Sequence, residues 1–166
     1  QLVEGILNEG SVNPNTIELH LSNTWKREIA NRTEVNYIDP NIPPKYEEGR
    51  FTESSDILDR QQRNPWEPSH YTEHEHFILP PKSYVIIPSM EIINIPNGYI
   101  SIVSPINSKI QSGLSIETES ILEPNYRDNI HFSIFNRNQC SIVLFSKMVI
   151  AKLAFIKAEK CSFLKG

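Results

Sequence analysis

Residues 123–136 read EPNYRDNIHFSIFN, and this stretch decides the fold class. Ile130, Phe132 and Ile134 alternate with His131, Ser133 and Phe135, a period of two that lays an apolar row along one face of a β-strand and leaves His131, Ser133 and Phe135 together on the other. Just before the strand, Glu123, Pro124, Asn125 and Tyr126 supply an acidic, proline-containing tight turn. A short turn feeding a half-buried strand belongs to an antiparallel sheet, in which neighbouring strands need no helical crossover.

Further strand signals follow outward from this one: TIELHLS at 16–22, HFILPP at 76–81, SYVIIPS at 83–89, EIINIP at 91–96, GYISIVSPI at 98–106, CSIVLF at 140–145 and MVIAKLAFI at 148–156. Pro, Gly, Asn and Ser separate them, and no helical pattern long enough for a crossover intervenes. The expected fold is all-β, a jelly-roll-like antiparallel β-sandwich. Leu2, Val3, Ile6 and Leu7 recur at helical spacing before Gly10, which predicts a short N-terminal helix. From about residue 27 to 76 the chain turns polar and proline-punctuated, as in IDPNIPPKY and RNPWEPSHY, which predicts turns and short edge strands. The 166 residues, 39% hydrophobic, suit a single domain spanning 1–166 with that segment as an insertion.

Charge and hydropathy exclude several classes. A formal net charge of −4 offers no basic surface for nucleic acid. No apolar run approaches the roughly 20 residues of a membrane span, and QLVEGILNEG lacks the features of an export signal, so a soluble cytoplasmic protein is expected. Cys140 and Cys161 lie in apolar, strand-like stretches and are expected to behave as small hydrophobes.

The order of these segments resembles the dCTP deaminase and dUTPase superfamily over nearly the whole chain. VNPNTIELHLSN (12–23) is similar to the family's N-terminal strand. HFILPPKSYVIIPSMEIINIPNG (76–98) looks like the segment before the active-site loop. SPINSKIQSGLSI (104–116) stands where the family has serine, serine, x, x, arginine, x, glycine, leucine, and ILEPNYRD (121–128) stands at isoleucine, aspartate, x, x, aromatic, x, glycine. The spacing from Gly113 to Glu123 is nearer the deaminase form than the longer dUTPase hairpin. The resemblance implies a homotrimeric dUTPase-type jelly-roll with deoxynucleotide sites at subunit junctions.

Carried over residue by residue, the resemblance places Asn107 and Ser108 at the paired serines, Gln111 at the phosphate-binding arginine, Ser133 at the proton-shuttling glutamate and Lys152 at a late-strand glutamine. Glu123 replaces the turn's aspartate, Tyr126 keeps the aromatic that stacks on deoxyribose, Arg127 completes a tyrosine–arginine pair, and Asp128 stands at the family's glycine. Deamination needs a carboxylate that takes a proton from water and returns one to the leaving amine, and a serine hydroxyl does not do this near neutral pH without a base of its own. His131 is the one substitute on the same strand face. A neutral amide at 111 forfeits roughly 1.5–3 kcal/mol of charge-assisted contact to a triphosphate. Arg127 or Lys109 compensates, or each is an ordinary surface charge. The residues therefore point to a catalytically degenerate family member retained as a trimeric nucleotide-binding, structural or regulatory protein, with no cofactor needed for folding.

Two alternatives stay open. Glu123 can orient water against a triphosphate carrying Mg2+, which makes the chain a pyrimidine deoxynucleoside triphosphate diphosphatase; against this, EPNYRD reads equally as a plain β-turn. In HYTEHEHF (70–77), His74 and His76 share one face if extended, as in cupin metal sites. Finally, Trp25, Tyr37, Tyr46, Phe51, Trp66 and Tyr71 lie in or beside the insertion and either dock it on a protein partner or pack it over the sheet.

Overall fold

The computed structural model describes residues 3–4, 16–28, 45–53 and 75–158. Twelve strands and one short helix occupy them: β1 (Val3–Glu4), β2 (Ile17–His20), β3 (Thr24–Glu28), β4 (Tyr46–Arg50), β5 (His76–Leu79), β6 (Tyr84–Asn94), β7 (Tyr99–Pro105), α1 (Asn107–Gln111), β8 (Leu114–Glu117), β9 (Ile121–Leu122), β10 (Arg127–Asn136), β11 (Ile142–Phe145) and β12 (Val149–Lys157). Every strand pairing is antiparallel.

A six-stranded sheet runs β4-β3-β6-β10-β8, with β1 beside β6; a four-stranded sheet runs β2-β12-β7-β9, and β11 pairs with β5. The two larger sheets share one core. Val85, Ile87 and Ile93 of β6 and Ile130, Phe132 and Ile134 of β10 pack with Leu19, Val103, Ile150 and Leu153 from the other sheet. The alternation read in β10 is the one observed: Ile130, Phe132 and Ile134 are buried, while His131 and Phe135 are exposed and Ser133 is half-buried. This is the all-β, jelly-roll-like sandwich expected.

The segments SYVIIPS and EIINIP form one continuous strand, β6, despite Pro88 in its middle. A proline has no N–H to give to a ladder. The pairing of β6 with β10 slips here: His131 faces Pro88 and Asn129 faces Ile92, so three β6 residues oppose Ile130 alone. Side chains replace the missing ladder bonds. The Ile130 N–H donates to the Ser89 hydroxyl (2.9 Å), which donates to the Glu91 carbonyl (2.7 Å), and the Asn129 amide donates to the Ser89 carbonyl (2.7 Å). Such a bulge re-aims side chains. Here the period of two nevertheless runs unbroken along β6, so Glu91 points into the core on the same face as Ile87, Ser89 and Ile93.

Several expectations need adjusting. Val3–Glu4 is a strand on β6, and the rest of the segment expected to be helical lies outside the described residues. The polar insertion supplies β4, which zips along β3 to form the sheet edge. Trp25 and Phe51 pack inward with Phe77, so these two aromatics serve intramolecular packing. Gly49 permits this: a Cβ there would lie 2.5 Å from the Trp25 indole. Tyr46 is exposed beneath the Lys26 ammonium, whereas Tyr37, Trp66 and Tyr71 lie outside the described residues. Cys140 is an exposed free thiol in the β10–β11 turn, not a small core hydrophobe, because its carbonyl rather than its side chain makes the structural contact, accepting from Asn136. Cys161 lies outside the described residues.

Candidate functional site

The outer face of β10 carries His131, Ser133 and Phe135. Ser133 lies between Ile86 of β6 and Glu117 of β8 in direct register. His131 sits two residues along the same face, with its Nε2 3.8 Å from Asp128 Oδ2, the outer limit of an ion pair. The one carboxylate of β10, Asp128, thus lies beside His131 and five residues from Ser133, while another stands across from Ser133 on the neighbouring strand. Glu117 is exposed and offset by one inter-strand spacing of about 4.8 Å. Sequence reasoning missed Glu117 because register across strands is not written along the chain.

Asn107, Ser108 and Gln111 are brought together on α1, a single turn linking β7 to β8. Lys152 arrives at its entrance: on β12 it faces Ser104, three residues before Asn107, and Glu18 on its other side. A carboxylate-bearing residue thus stands in register directly across the strand pair. At the exit from α1, Gly113 adopts φ +92°, and a Cβ there would lie 2.3 Å from the Asn138 side chain. The β10–β11 turn is fastened to this loop. The Arg137 N–H donates to the Gly113 carbonyl (3.0 Å), the Arg137 guanidinium to the Ile110 carbonyl (3.1 Å), and the Asn138 amide to the Ser112 carbonyl (3.0 Å). Arg137 and Asn138 were invisible as site residues in the sequence, since only tertiary pairing brings them to α1.

Glu123, Tyr126 and Arg127 meet in the third cluster, the turn between β9 and β10. The Tyr126 N–H donates to the Glu123 carbonyl (3.2 Å), and Asn125 and Tyr126 exchange backbone hydrogen bonds with Ile95. The left-handed residue is Asn125 (φ 70°); Asp128, at the family's glycine, lies in the β10 ladder opposite Ile93. Glu123 and Arg127 are exposed. Tyr126 is half-buried against the core and its hydroxyl donates to the Asn129 carbonyl (2.7 Å). Burial, followed by the nearby carboxylates of Asp128 and Glu119, pushes its phenol up to about 12. Arg127 and Ser133 stand six residues apart on one strand, a backbone separation of roughly 20 Å.

Two grooves open on the described residues. One, of about 480 Å³, lies on the outer face of the six-stranded sheet between Lys26, Glu48, Arg50, Pro88 and His131. The other, of about 380 Å³, lies among Asn23, Glu75, Ser89, Asn129 and Lys147. Neither is lined by Gln111, Glu123, Tyr126, Ser133 or Lys152. Among the described residues no group of three or more His, Cys, Asp or Glu is placed to hold a metal. His76 is buried in β5 and His74 lies outside the described residues. No helix among the described residues is long and apolar enough to cross a membrane.

Comparison with known proteins gives one consistent result. The profile of the dCTP deaminase-like family matches residues 2–158. A dUMP-forming dCTP deaminase of Hydrogenobaculum sp. is 28% identical over 110 residues, 66% of this chain and 61% of that protein. One from Nanoarchaeum equitans is 26% identical over 151 residues, 88% of this chain and 71% of that protein. The chain thus spans only about three fifths of the first relative's length. Among solved structures, 2'-deoxycytidine 5'-triphosphate deaminase from Agrobacterium tumefaciens superimposes over 93% of this chain and 43% of its own, with a TM-score of 0.58 at 15% identity, a likeness of fold. With strand order, loop positions and profile match in agreement, this chain belongs to the dCTP deaminase-like family.

Proposed function

We propose that the chain is a cytoplasmic, homotrimeric, deoxynucleotide-binding member of this family that has lost deamination and serves as a binding or regulatory protein. The observation that carries this reading is Ser133: half-buried on the outer face of β10 at the position of the family's glutamate, it offers no carboxylate to move a proton, and the one carboxylate of its strand, Asp128, stands five residues away. The neutral Gln111 at the phosphate loop points the same way. The candidate residues fall into three clusters that line neither groove of the single chain, which supports a site completed by a second subunit. Light scattering tests the trimer, and thermal shift across dCTP, dUTP and dTTP tests the ligand; a ligand at 100 times its Kd adds about 2.7 kcal/mol of stability. A monomer with no shift for any deoxynucleotide contradicts the proposal.

One specific observation favours a second reading, hydrolysis of the triphosphate. The turn holding Glu123, Tyr126 and Arg127 is a hydrogen-bonded unit with an exposed carboxylate at its start. Glu123 would orient water against a triphosphate that arrives with its own Mg2+. Pyrophosphate release from dUTP that disappears in Glu123→Gln supports this; no release at high protein concentration eliminates it.

A further inference from the structure

The neutral residue at position 111 leaves the phosphate loop without its arginine, yet the fold returns a cation to the same loop from the β10–β11 turn. The Arg137 guanidinium donates to the Ile110 carbonyl at 3.1 Å, one residue from Gln111, and the Lys82 ammonium donates to the Arg137 carbonyl at 2.5 Å. Lys109 lies on α1 itself. The placement is built rather than incidental. Asn136, fully buried, anchors the turn through its amide to the carbonyls of Leu79, Pro80 and Cys140, and through its Oδ1 to the Asn138 N–H. The Lys82 N–H donates to the Asn136 carbonyl, which ties the second cation to the same point.

Charge is locally one-sided along the chain, with Glu91 and Glu117 directly following two of the three segments concerned. Segments 80–90, 105–116 and 136–148, which contain these cations, hold no Asp or Glu. One contact to Ile110 leaves most of the five guanidinium N–H donors of Arg137 in exposed surroundings. A planar fork on a residue whose backbone carbonyl holds an ammonium suits a polyphosphate, whose oxygens accept bidentate hydrogen bonds.

We infer that Arg137, assisted by Lys82, is the anion-binding residue of the α1 loop and recognises the polyphosphate tail of the ligand in place of Gln111. The inference deepens the proposed function, since a nucleotide triphosphate is the ligand of that reading. The competing role is helix capping alone, because a cation at a helix C-terminus stabilises the last carbonyls.

Calorimetric titration of the full chain with inorganic tripolyphosphate, dCTP and deoxycytidine separates them. Arg137→Gln is expected to weaken tripolyphosphate and dCTP roughly tenfold to a hundredfold while leaving deoxycytidine unchanged. Lys82→Gln is expected to lower both anions less, and Arg137→Lys to recover part of the loss. If Arg137→Gln does not fold, Gln111→Glu, which sets a carboxylate beside the guanidinium, is expected to weaken the anions in the same selective way. Unchanged anion affinity in these variants overturns the inference, as does an equal loss for all three ligands. Tripolyphosphate binding that depends on Arg137 without any deoxynucleotide preference sinks the nucleotide reading and leaves this one standing. Nucleotide binding indifferent to Arg137 does the reverse, and binding of neither overturns both.

Discussion

His20 on β2 and Glu91 on β6 join the two sheets through the core: Nδ1 of His20 lies 2.5 Å from Oε1 of Glu91, and the His20 N–H donates to Oε2 at 3.0 Å. Both residues are buried, Glu91 completely. The unbroken period of two along β6 turns this carboxylate inward, and the histidine is the one titratable group of β2 that meets it. Breaking such a pair from one side leaves a polar group buried without its partner. Glu91→Leu is therefore expected to cost about 3–5 kcal/mol, and the double change His20→Leu with Glu91→Leu clearly less than the sum of the His20→Leu and Glu91→Leu losses. Urea unfolding of the three variants checks this; additive losses would show that the pair is not a coupled unit.

Gly113 links α1 to β8 with φ +92° while the Asn138 side chain fills the space a Cβ would take. Gly113→Ala faces both penalties, and a loss of about 1–3 kcal/mol is expected. Asn138→Ala in the same chain removes the collision and not the backbone strain, so denaturation midpoints should recover only in part. Full recovery would assign the whole cost to packing.

Tyr126 donates its hydroxyl to the Asn129 carbonyl, and burial lifts its pKa from the ordinary 10.0 to about 12. Because the folded pKa is the higher one, the contribution of the protonated phenol is complete below pH 10 and disappears as pH rises through about 12. The stability gap between wild type and Tyr126→Phe, about 1 kcal/mol near neutrality, should narrow across this window. Chemical denaturation at pH 8, 10 and 11.5 follows it, and a gap that widens with pH would refute the assignment.

Much of the fold was legible because burial enforces period two. The alternations in residues 16–22 and 129–135, and the apolar, turn-bounded runs at 76–81, 98–106 and 148–156, each became a strand. What stayed hidden was set by pairing rather than by period. The strand β4 has a glycine and charges throughout its YEEGR sequence, and it is a strand because β3 offers it an edge. The α1 turn is five residues, too short for a periodic signal. The same limit applied to the site. Gln111, Glu123 and Ser133 could be found by position along the chain, whereas Glu117 and Arg137 reach them only through strand register and a tertiary turn.

That register also predicts how the site answers repair. Ser133→Glu would set two carboxylates directly opposite each other, since position 133 faces Glu117. Like charges so placed are destabilising, by about 0.2–1 kcal/mol, and adding Glu117→Gln should relieve it. Thermal unfolding at low salt is the readout, and an effect insensitive to position 117 would mean the two side chains diverge.

The account rests on Ser133 having removed the proton carrier from β10. The direct measurement is ammonia and dUTP formation from dCTP by the purified full chain, with and without Mg2+, run beside a binding assay on the same sample. The expected result is dCTP binding without deamination. Turnover at an ordinary enzymatic rate, on the order of 1 per second or faster, would contradict it outright.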